Sequence, residues 1–130
     1  MEHLATVVGF MLVSFLVQGV SHFALNKEHY GAIDFVRKDS NVPMGLAVMI
    51  FQGVIFSIAL SAWKPDVVTM MDGFSVSYAF GFFLAAYIAV VEPAKYKVPN
   101  VGRWIRVEAS ASAVQFTLFA PILVLAHNWV

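Results

Sequence analysis

Four long apolar runs alternate with short polar stretches along the chain. The runs cover residues 4–25, 44–63, 73–91 and 107–126, and none contains Lys or Arg. A bilayer-crossing helix needs about 20 mostly apolar residues, and each run is close to that length. The stretches between them read "NKEHYGAIDFVRKDSNVP", "KPDVVTMMD" and "EPAKYKVPNVGRWIR". Pro43, Pro65, Pro93 and Pro99 fall at or beyond the run ends, where a helix can stop. Pro121 lies inside the fourth run and is expected to kink it or loosen one turn, which membrane helices tolerate. The pattern predicts an all-α fold: a polytopic four-helix integral membrane bundle, with residues 1–130 forming one transmembrane domain.

Two linker pieces carry helical signals of their own. In "HYGAIDFVRK", Tyr30, Ile33 and Val36 recur at helical spacing while Asp34, Arg37 and Lys38 fall elsewhere. That pattern suits a short helix lying in the membrane interface after the first span. In "NVGRWIRVE", Asn100 is placed to cap the fourth helix early. Trp104 is then expected at headgroup depth, with Arg103 and Arg106 reaching out to water. The first run is expected to be a retained span, not a signal peptide. Its only nearby charge is Glu2, it is long, and no A-x-A-like site follows.

Composition agrees with lipid as the solvent. The chain is 60% hydrophobic and 12% charged, against about 25% charged in soluble domains, and its mean hydropathy is +0.77. It has no cysteine, which excludes disulfides, zinc–thiolate sites and thiol chemistry. Zero net charge points to no nucleic-acid partner. Of its 8 basic residues, Lys27, Arg37 and Lys38 lie in the first loop, and Lys95, Lys97, Arg103 and Arg106 in the third. Only Lys64 lies in the second. Loops one and three share a face, which the positive-inside rule makes cytoplasmic, with both termini outside. The expected location is a plasma (inner) membrane.

The polar residues inside the runs fall at one depth. At 1.5 Å per residue, Gln18 lies roughly 10 Å from the inner face, Gln52 and Gln115 roughly 12 Å, and Tyr87 roughly 6 Å. His22 follows Gln18 by one turn on the same helix face. Glu92 and Glu108 stand at the mouth of this layer. Two readings remain open. Glutamines act as hydrogen-bonding glue between membrane helices, and small residues such as Gly81, Ala85, Ala109, Ala111 and Ala113 favour close packing. Alternatively, Gln18, His22, Gln52, Tyr87, Gln115, Glu92 and Glu108 line a ligand pocket. A bound lipid or quinone-like molecule suits such a pocket, and no other cofactor is expected. The tripeptide Gln-Gly-Val occurs at residues 18–20 and again at 52–54, a weak internal echo.

Catalytic and metal signals are sparse. His3 and His127 belong near the outer face and could meet only if the first and fourth helices are neighbours. Two exposed terminal histidines make a poor metal site. No P-loop, G-x-S-x-G or H-E-x-x-H motif occurs, and no carboxylate lies at mid-membrane. An enzymatic reading rests only on His22, Glu92 and Glu108 near one mouth.

The segments "QGVSHFAL…HY", "AAY" around Tyr87 and "RWIRVEAS" at the fourth span together resemble a family of uncharacterised small four-span bacterial membrane proteins. The resemblance lies in length, in a polar residue late in span one with a Tyr soon after, and in a Trp shortly before an acidic residue at span four. Where that family tends to carry an acidic residue in span one, this chain has Gln18. The resemblance implies a fold and a bacterial origin. The first functional expectation is a non-enzymatic helper or accessory subunit packed against another membrane protein. The alternative is a small-molecule or lipid-binding or transport protein, and the expected partners are membrane lipid and a membrane-protein partner or a second copy of the chain in a homo-oligomer.

Overall fold

A computed structural model describes residues 1–36, 39 and 41–129. Its elements are α1 (Glu2–Val20), α2 (Lys27–Gly31), α3 (Val42–Trp63), α4 (Met70–Ala86), α5 (Glu92–Lys95) and α6 (Val101–Asn128). A wider π-helical turn, Ser21–Leu25, extends α1, and a second, Tyr87–Val91, joins α4 to α5. Four continuous helical stretches are therefore long and apolar enough to cross a membrane: Glu2–Leu25, Val42–Trp63, Met70–Lys95 and Val101–Asn128. Each starts a few residues before the apolar run that predicted it. Local chemistry explains three of these starts. Asn41 and Asn100 cap α3 and α6, each side-chain oxygen accepting a backbone N–H three residues on, and Thr69 and Asp72 form a reciprocal capping box at α4.

The helices pack in the order α4, α6, α1, α3, and the ring closes only loosely between α3 and α4. The long α6, with 28 residues, and α1 form the spine. Phe10, Phe56 and Phe119 make the centre of the core, with ring centroids 4.9–5.3 Å apart. The outward faces remain apolar, with Leu12, Leu16, Phe51, Ile58, Phe82 and Leu125 all exposed. That distribution suits a lipid surround and would be costly in water.

Small residues let α4 approach α6. Gly73, Ser77 and Gly81 recur every fourth residue and are all buried. The Ser77 hydroxyl donates to the Phe116 carbonyl at 2.7 Å. The stripe thus runs toward the start of α4 from Gly81, rather than onward to Ala85, which is only half-buried. α6 continues as one helix through Pro121.

Three expectations change. Helix α2 is only five residues long, and Tyr30 and Ile33 turn inward onto Trp104 and Val107 instead of facing lipid. Arg37 and Lys38, expected on the polar side of that helix, lie outside the described residues. Trp104 is buried, and its Nε1 donates to the Ile88 carbonyl at 2.9 Å, so protein rather than headgroups surrounds it. His127 is also buried. α1 and α6 are neighbours, yet His3 pairs with Ser57 on α3 at 2.6 Å.

Candidate functional site

Two facing polar stripes build the site. On α1 and its π turn, Ser14, Gln18 and His22 succeed each other every four residues. On α6, Glu108, Ser112 and Gln115 succeed each other at four and three. Both spacings keep side chains on one helix face. Because α1 packs on α6, the stripes meet. Gln18 Nε2 donates to Gln115 Oε1 at 2.8 Å, and Gln115 Nε2 donates to Ser14 Oγ at 2.9 Å.

A cavity of about 370 Å³ lies beside this chain of amides, within the usual range for ligand pockets. Its polar wall is Ser14, Gln18, Asn41, Gln52, Ser112 and Gln115, and Met44, Met49, Leu84 and Phe116 are among its apolar lining. Among the described residues, no ionisable side chain lines it. Gln115 is 6% exposed, while Gln18 and Gln52 are half-buried. Gln18 Oε1 accepts no hydrogen bond among the described residues. Gln52, across the cavity on α3, makes no hydrogen bond among the described residues. The three glutamines thus reach one cavity from three helices.

The remaining candidates lie outside it. Tyr87 is 45% exposed and its hydroxyl accepts from Lys95 Nζ at 3.0 Å. Glu92 is half-buried on α5. His22 and Glu108 join a second cluster at the same end of the bundle. The Tyr30 hydroxyl donates to Glu108 Oε1, and the His22 ring stacks on Tyr30 with centroids 3.7 Å apart. His22 Nδ1 lies 3.0 Å from the Gln18 carbonyl. A carbonyl only accepts, so Nδ1 carries the hydrogen in this contact. His22 therefore links the two clusters.

His29 edges against Tyr30 and sits near Trp104. It is 5% exposed and its Nε2 has no hydrogen-bond partner among the described residues. Burial, and then the Arg103 charge, hold its pKa below the ordinary histidine value. Burial raises the Tyr30 phenol, with the Glu108 carboxylate adding to it. Both shifts keep this cap uncharged at its two aromatic members.

Sequence reasoning missed Ser14, Asn41 and Ser112 in the cavity wall, and Tyr30 and His29 in the cap. A signal was present for two of them: Ser14 precedes Gln18 by four residues, and Ser112 precedes Gln115 by three. Among the described residues, no group of three or more His, Asp or Glu side chains could hold a metal ion. The Gln-Gly-Val echo does not extend to packing, since a Cβ on Gly53 would meet the Val7 backbone at 2.9 Å and one on Gly19 would meet nothing. No protein-family model, curated protein or solved structure matches the chain.

Proposed function

We propose that this protein is an integral membrane protein that binds an uncharged small molecule or lipid headgroup in the glutamine-lined cavity. The observation that supports this reading best is the convergence of Gln18, Gln52 and Gln115 on one cavity that, among the described residues, has no ionisable side chain in its lining. Amides offer both donors and acceptors. A charged ligand would lose its hydration with no counter-charge among the described residues of the wall, which is costly. A neutral head with hydroxyl or carbonyl groups fits the available partners. The accessory-subunit reading would draw support from glutamines on the lipid face, and none of the three lies there.

The test is purification in mild detergent followed by native mass spectrometry. The wild type is expected to retain a small non-detergent molecule. Gln52→Leu should lose it, while its ligand-free form stays as stable as the ligand-free wild type, because Gln52 makes no hydrogen bond among the described residues. An empty wild-type cavity together with a stoichiometric protein partner would overturn the reading in favour of the accessory subunit.

The proposed setting is a bacterial inner membrane, with loops one and three cytoplasmic. It rests on the basic residues of those loops and on the family resemblance. Reporter tags at either terminus should be accessible from outside the cell, and a tag near Pro99 should be protected. The reverse pattern would invert the orientation and place the cavity in the outer half.

A further inference from the structure

The polar cavity does not end at Gln52. A second cavity, of about 450 Å³, is lined by Gln52, Ile55, Phe56, Ala79, Phe80, Phe83 and Leu84. Gln52 and Leu84 belong to both walls, so the two cavities adjoin. This second arm occupies the loose seam between α3 and α4. Apart from Gln52 its lining is entirely apolar, and it opens outward past Ile55 and Phe83, the latter 71% exposed.

From these two cavities we infer that the ligand is a single-chain neutral amphiphile, with its head among the glutamines and its hydrocarbon tail in the α3–α4 seam. The inference rests on the proposed function and names its substrate class. Continuity is the first support, since one molecule with a polar and an apolar part matches one space with the same two parts. Direction is the second. The polar cavity includes Asn41, Met44 and Gly45 at the start of α3. Phe56 lies twelve residues beyond Met44, about 18 Å further along the helix. On α4, which runs the other way, Phe80 and Ala79 are likewise deeper than Leu84 and Ile88. The polar part therefore lies toward the end of the bundle, and the apolar part toward the bilayer centre. A lipid in that leaflet has the same orientation and could enter sideways through the seam without inverting. Charge is the third support: among the described residues, neither cavity is lined by an ionisable group.

The experiment uses a long-chain monoacylglycerol with a photoactivatable group in mid-chain, and a short-chain monoacylglycerol as a head without a tail. In wild-type protein, photolabelling should concentrate on residues 52–56 and 79–84. Ala79→Trp, which fills the seam, should weaken long-chain binding by about tenfold, the effect of losing roughly two buried methylenes. Thermal stabilisation by the short-chain compound should persist in Ala79→Trp and vanish in Gln52→Leu. Labelling spread over all outward faces, or unaffected by Ala79→Trp, would overturn the tail assignment. If the short-chain compound still stabilises the wild type in that case, the cavity reading survives. If it does not, both readings fall together.

Discussion

Replacing Tyr30 by Phe should destabilise the protein by about 1.5–3 kcal/mol, the range for a hydrogen bond to a charged group. The substitution keeps the ring that stacks on His22 and packs on Trp104, and removes only the hydroxyl. Glu108 would then be left 6% exposed with no hydrogen-bond donor among the described residues, and a buried acceptor without a partner is costly. The asymmetry gives a control. Tyr30→Phe combined with Glu108→Leu removes both partners and should recover most of the loss. Denaturant unfolding in detergent micelles would measure both variants. A single variant as stable as the wild type would mean that the carboxyl needs no donor there. The pair also bears on function, because it fastens the cap formed by Tyr30 and Ile33 to α6 one turn from Ser112 in the cavity wall.

Much of this architecture is legible in the sequence because a helix is a rigid ruler. Runs of about twenty apolar residues identify four helices, and counting 1.5 Å per residue puts three glutamines in one layer. Their convergence on one cavity follows from depth plus inward orientation. Depth alone does not supply orientation, as Tyr87 illustrates. It begins a π-helical turn, and the wider turn breaks the α-helical register on which an extrapolated direction depends. Its hydroxyl consequently reaches Lys95, away from the glutamines.

The cap was legible in pattern but not in partner. Tyr30, Ile33 and Val36 carry the spacing of an apolar face, and that face can rest on lipid or on protein. The outcome is decided by Trp104, Val107 and Glu108, far later in the chain, which offer a ring, a branched side chain and a carboxylate at one place. Ser14 and Ser112 were overlooked for another reason. A single serine in a membrane helix is unremarkable, and its role emerges only when the glutamine opposite it is known. The seam between α3 and α4 leaves no signal in either helix alone, because it arises from the packing of the two.

A close approach of α4 to α6 yields the second large effect. A Cβ on Gly81 would stand 2.4 Å, 2.6 Å and 2.9 Å from three atoms of Phe116, so the phenylalanine must move. It has little room to do so, being 5% exposed and packed near Phe10 and Phe56. Gly81→Ala should therefore cost about 1–3 kcal/mol, the usual range for overpacking, despite the better helix propensity of alanine. Gly19→Ala provides the opposite case. Nothing lies within 4 Å of its added Cβ, so propensity alone acts and stability should hold or rise by up to about 1 kcal/mol. Thermal unfolding of the two variants in the same detergent makes the comparison direct. Equal effects would show that α4 and α6 do not approach as closely as Gly81 and Phe116 require. Opposite signs would tie the stability of the bundle to the Gly73–Ser77–Gly81 stripe, the contact that fixes α4 on α6 and leaves its other side open toward α3.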